Sequence, residues 1–185
     1  MQSPSSAQPQ WQNEPLPETR EVASGIWKIT LPIPFPLRTV NVYILLGQND
    51  WAIFDTGIGI PEARAAFSQG LQRIGLRTNQ LRTIVLSHNH PDHVGLSGEL
   101  HEQSDAAIYM HPIDEETMHY LWEGRTPEHF LRTSKFFMQH GMPPNDRWFS
   151  QVPAEQLRNI IRVPPHEAIT LVEDDQYIDL VGERY

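Results

Sequence analysis

Cysteine is absent from the 185 residues, which removes disulfide cross-links, thiolate metal ligands and a thiol nucleophile together. No Gly-x-Ser-x-Gly turn is present to raise a serine to a nucleophile. No apolar run reaches the roughly 18 residues that a membrane span needs, and no partnership with a membrane is expected. Lys and Arg total 14 against 23 Asp and Glu, for a net charge of -9. With no basic cluster to track a phosphate backbone, no nucleic-acid partner is expected. The opening Met1 to Gln10 has neither a basic start nor an apolar core, so it does not read as a secretory signal, and a cytoplasmic location is the expectation.

Histidine, by contrast, is concentrated. Ser87-His-Asn-His-Pro-Asp-His93 places His88, His90, Asp92 and His93 directly after the apolar run Leu81 to Leu86. Imidazole and carboxylate are the donors that borderline divalent metals prefer, and a loop leaving a strand lets the sheet edge fix their directions. His88 and His90 are two residues apart, so in extended backbone both project to one side and can share one ion. Pro91 disfavours helix before it and permits one after it, so Asp92 and His93 follow the turn and can reach a second ion. The other histidines, His101, His111, His119, His129, His140 and His166, have no ligand spacing and are expected to be ordinary loop or surface residues.

Around this cluster the chain divides by composition. Residues 1–22 are rich in Pro, Gln, Ser and Glu, and a flexible tail is expected there. Residues 23–112 alternate strand and helix patterns. Ile26 to Thr30 reads as a strand, and Leu31 to Pro36 as an edge or loop because each proline removes a ladder donor. Asn41 to Leu46 and Trp51 to Asp55 read as a hairpin, and Pro61 opens a helix with Ala63, Phe67, Leu71 and Ile74 on one face and Gly75 as its stop. A strand over 82–87, a helix over 92–103 and a strand over 106–110 complete a layered α/β pattern. Residues 113–164 break the alternation with three expected helices, 113–122, 128–140 and 154–161, which form a helical insertion or lid. Phe130, Leu131, Phe137 and Met138 make an apolar stripe on the second of these. If the helices roof the site, Trp122, Phe136 and Trp148 line an apolar pocket.

The signature His-x-His-x-Asp-His at 88–93, with Phe54-Asp55-Thr56-Gly57 upstream and Gly95-Leu-Ser-Gly98 downstream, resembles the metallo-beta-lactamase fold hydrolases. The resemblance runs from about Gly25 to Met110. It implies an αββα sandwich, with His88 and His90 on the first metal, Asp92 and His93 on the second, and Asp55 supporting the ligands from behind. Zinc is the implied metal, two ions in a complete site, with iron or manganese as alternatives. The implied activity is hydrolysis of an ester, thioester, lactone or amide in a small-molecule substrate by a metal-activated water, with Asp92 as the catalytic carboxylate. Relatives carry a third histidine on a Gly-His turn after a hairpin that Ile169 to Tyr185 resembles. The expectation is therefore an incomplete fold: residues 165–185 begin a second half, and the chain is a piece of a longer enzyme that exposes apolar surface and self-associates. Two other readings stay open at this point, an inactive or partner-dependent module with a vestigial site, and a non-haem iron thiol oxygenase of the same fold.

Overall fold

Ile29 and Leu31 alternate with Lys28 and Thr30 along strand β2 (Ile26–Pro32), and Val40, Val42 and Ile44 alternate with Asn41 and Tyr43 along β3 (Thr39–Leu46). The period of two turns one set into the core and the other to the opposite face. The computed structural model describes residues 16–34, 37–143 and 159–184. Its main sheet has seven strands in chain order. β1 (Arg20–Ala23), β2, β3 and β4 (Trp51–Phe54) pair antiparallel. From β4 onward β5 (Leu81–Val85), β6 (Ala107–Met110) and β7 (Ile169–Leu171) run parallel. A parallel pair needs a crossover, and helices supply it.

Helix α1 (Pro61–Ile74) joins β4 to β5 and buries Ala63, Phe67 and Leu71, while Gly75 at φ 83° closes it. These side chains meet Ile29, Val42, Ile44, Ile53 and Ile84 in one apolar cluster. At about 25 cal/mol per Å² of apolar surface removed from water, such burial is the main stabilising contribution to the fold. On the opposite face, Leu45 and Ala52 are covered by Leu180 from the short hairpin β8 (Asp179–Leu180) and β9 (Glu183–Arg184). Towards β2 that face is polar, with the Thr30 hydroxyl donating to Asn41 Oδ1 at 2.8 Å.

Four expectations need correction or adjustment. Leu31 and Pro32 belong to β2, and Leu31 is fully buried; proline is accommodated because it is the last residue of the strand, opposite Thr39. β1 begins at Arg20, three residues ahead of the expected boundary, and pairs with β2. The helix expected over 92–103 is two: α2 (Pro91–Val94) and α3 (Ser97–Ser104). Leu96 N–H leaves the helical ladder for Gly57 O at 3.2 Å, and Gly95 O accepts from Arg162 N at 2.8 Å, so the peptide groups between them are engaged elsewhere. Finally, α4 (Pro112–Tyr120) passes through one widened turn, Leu121–Arg125, into α5 (Thr126–Gln139). Leu131, Phe136, Phe137 and Met138 on α5 are exposed. Of the third expected helix, only Asn159 to Ile161 lie within the described residues.

Candidate metal centre

The site is assembled where the carboxyl ends of β4 and β5 meet. Asp55, the residue after β4, adopts the left-handed conformation at φ 59° while its N–H still bonds Val85 O at 2.9 Å. Aspartate is among the few residues that tolerate this region, and held strain of this kind clusters at functional sites. The turn carries the Asp55 side chain, 13% exposed, under the loop that leaves β5. There it accepts three hydrogen bonds: Ser87 N to Oδ1 at 2.9 Å, Ser87 Oγ to Oδ2 at 2.8 Å and His93 Nδ1 to Oδ2 at 2.8 Å.

Those bonds decide which nitrogen each imidazole presents. His93 uses Nδ1–H on Asp55, so Nε2 carries the lone pair. A hydroxyl has one proton, and Ser87 gives it to Asp55; His88 Nδ1, 2.9 Å from Ser87 Oγ, must then be the donor, which leaves its Nε2 bare as well. The His88 ring centroid lies 4.6 Å from that of His90 and 4.0 Å from that of His93. Asp92 Oδ2 is 3.6 Å from His93 Nε2. All four residues singled out in the signature are therefore brought to one place, with Asp55 beneath them.

Electrostatics separates the rings. Burial, then the neighbouring His93 and His90, hold His88 below the usual histidine range, so it is neutral and able to donate its lone pair at neutral pH. Burial also pushes His93 down, but its hydrogen bond to Asp55 and the charges of Asp55 and Asp92 outweigh that and raise it. The bare nitrogens of His88 and His93, each ring fixed from its far side, and the Asp92 carboxylate are donors of the kind that borderline divalent cations take.

The surrounding backbone is fixed by Thr56 and Gly57. Thr56 donates from N and Oγ1 to His93 O at 2.7 and 2.8 Å and accepts Leu96 N on Oγ1 at 3.3 Å, which pins both ends of the turn into α3. Gly57 sits at φ 79°, where an added Cβ would lie 2.4 Å from Leu31 Cδ1.

Positioning residues that the spacing did not reveal come from the helical segment. Asp114 on α4 accepts Asn89 N at 3.1 Å and Asn89 Nδ2 at 2.6 Å, and the Trp122 ring N–H donates to Asn89 O at 2.9 Å. Asn89 stands between the two loop histidines, so these bonds hold the loop from above. An acid in the first turn of a helix that follows a strand in the same parallel half was the available signal. Of the three aromatics expected to line a pocket, Trp122 reaches the loop, Phe136 is 56% exposed on α5 and Trp148 lies outside the described residues. His111 caps α4, its Nδ1 accepting Ile113 N at 3.3 Å, and His101 Nδ1 donates to Ala106 O at 2.9 Å. His119, expected at the surface, is buried at 5% exposure.

Comparison with known proteins agrees with the fold. A metallo-beta-lactamase family protein from Thermus thermophilus superposes with a TM-score of 0.70 at 32% identity, over 89% of this chain and 51% of that one. A beta-lactamase domain protein from Burkholderia ambifaria shares the fold with a TM-score of 0.64 at 22% identity, over 91% of this chain and 48% of that one. A probable metallo-hydrolase, YqjP, of Bacillus subtilis is 32% identical over 68 residues, which is 37% of this chain and 21% of that protein. The chain thus spans about half the length of the solved structures and a smaller share of this curated relative. The family model for the metallo-beta-lactamase superfamily matches residues 36–180, across strands β3 to β8 and the 88–93 loop, and the chain belongs to that superfamily.

Proposed function

We propose that the protein is a metal-dependent hydrolase whose reaction centre is the 88–93 loop, acting on an ester, thioester, lactone or amide bond of a small molecule. The observation that carries the reading is the Asp55 carboxylate, which through His93 directly and His88 by way of Ser87 fixes two imidazoles with Nε2 bare. His88 and His90 would hold one ion, Asp92 and His93 a second, with zinc favoured by the nitrogen and oxygen donors and iron or manganese as alternatives. Bound there, such ions supply a water of lowered pKa and a Lewis acid for the carbonyl oxygen.

The chain's own groups contribute position and proton handling. Asp55 keeps His93 in one tautomer. Ser87 does the same for His88. Asp92, whose Oδ2 lies beside His93 Nε2, would ligate the second ion and accept a hydrogen bond from the attacking water, as the catalytic carboxylate. The helical segment, tied to the loop through Asp114 and Trp122, serves as a cover that limits water and shapes the substrate space.

The test is hydrolysis of aryl ester, thioester and lactone substrates by the zinc-loaded protein that carries this chain. Turnover should vanish with a chelator and fall by about a hundredfold or more in His88→Ala, which loses a metal ligand, and in Asp92→Ala, which loses a positioned hydrogen-bond acceptor, while His101→Ala changes little. Turnover indifferent to His88→Ala contradicts the metal mechanism.

A further inference from the structure

Glu115 and His119 on α4 and Glu123 in the widened turn that follows it recur every four residues, and both glutamates approach the His119 ring. His119 is 5% exposed, and neither of its ring nitrogens makes an aligned hydrogen bond. Carboxylate oxygens nevertheless approach both: Glu115 Oε1 is 3.4 Å from Nε2 and Glu123 Oε1 is 3.1 Å from Nδ1. A buried imidazole with acceptors near both nitrogens and a bond to neither calls for a further partner. His166, from the turn His166–Ala168 just before β7, brings a second imidazole to the same point. Its Nδ1 contacts the same Glu115 Oε1, and its ring stacks on His119 with centroids 3.5 Å apart. One ligand atom from each of Glu115, His119 and His166 lies within 4.8 Å of the others.

We propose that Glu115, His119 and His166 form a second metal site, separate from the 88–93 loop, that takes zinc or a similar borderline divalent cation. A tetrahedral zinc with nitrogen and oxygen ligands places them about 3.3 Å from one another, and the Glu115 to His119 pair already stands at 3.4 Å. Glu123, at 3.1 Å from His119 Nδ1, then acts as the carboxylate that orients a metal-bound histidine from its far nitrogen. His166 must turn out of the stack to point a lone pair at the ion, and its 61% exposed side chain on a short turn has room to do so. An open cavity of about 500 Å³, bordered also by Glu116 and Tyr120, gives the ion access to solvent and space for a water ligand. Because residues 115 and 166 are 51 apart in sequence, the ion would clip α4 to the start of β7 and close the whole helical excursion. The site is a fastener for the segment that holds Asn89, and it stands whether or not the loop is catalytic.

Zinc binding to the His88→Ala/His90→Ala/His93→Ala protein, followed by equilibrium dialysis with elemental analysis, tests this directly. One zinc per chain should remain, and in protein labelled with ¹⁵N-histidine the His119 and His166 ring nitrogens should shift on its addition. His166→Gln and Glu115→Gln should each weaken that ion by about tenfold or more, as loss of one of three protein ligands requires. Should the triple variant fail to fold, the same comparison is made between the unaltered protein and His166→Gln: a loss of one ion together with the His119 shift supports the site. No zinc in a folded triple variant, or equal stoichiometry and affinity in His166→Gln, overturns it and leaves a purely protonic His-Glu cluster.

Discussion

At the scale of single residues, the centre depends on one carboxylate that is expected to touch no metal. Asp55 collects Ser87 and His93, and by way of Ser87 it sets His88. Asp55→Asn keeps the size but replaces one acceptor oxygen with a donor and removes the charge. Zinc affinity should then fall by about 10- to 100-fold, the usual cost of losing a partner behind metal-bound histidine, as measured by competition with a chromophoric chelator. An unchanged affinity would mean that the His93 tautomer is set in some other way. The signature residues were legible because they are contiguous and of one chemical type. Asp55 was legible only through the family resemblance, since its 32 residues of separation from Ser87 leave no periodic trace. Asp114 and the Glu115, His119 and His166 group leave no trace in histidine spacing for a related reason: on α4 the informative interval is glutamate to histidine.

At the scale of elements, period-two and period-3.6 patterns located β2, β3, β4, α1 and β5 with small shifts at their ends, because one face of each packs on the shared core. Patterning did not show the break between α2 and α3, where tertiary hydrogen bonds from Gly57 and Arg162 outcompete the helical ladder. It also did not show that Pro32 closes a buried strand. The joint between β4 and the loop depends on Gly57. Gly57→Ala would impose a side chain at φ 79° and a 2.4 Å approach to Leu31 Cδ1, costing about 1–3 kcal/mol. Thermal unfolding should drop by several degrees, at about 2–4 °C per kcal/mol for a chain of this size. On the other side of the loop, Asp114→Ala leaves the Asn89 N–H and side-chain amide without their acceptor, which should cost about 1–3 kcal/mol and weaken zinc binding without removing a ligand. A variant with normal zinc affinity and normal melting would show that the helical segment does not hold the loop.

At the scale of the whole molecule, the family model covers residues 36–180, and the described sheet is one of the two that the αββα architecture contains, with β8 and β9 lying on its second face. Among the described residues no helix is long and apolar enough to cross a membrane. Because a metal that binds only the folded chain stabilises it by mass action, zinc at a hundred times its dissociation constant should add about 2.7 kcal/mol, or about 5–10 °C in melting temperature. Chelation should reverse the gain, and a melt indifferent to zinc would contradict binding to the folded state.

The most direct test of the central claim is the zinc affinity of the 88–93 loop itself, determined by chelator competition in the His166→Gln background, where the second site binds about tenfold or more weakly. The account predicts that His88→Ala and His90→Ala each reduce affinity by about tenfold or more with the fold retained by circular dichroism. Affinity in both variants equal to that of the parent would contradict it.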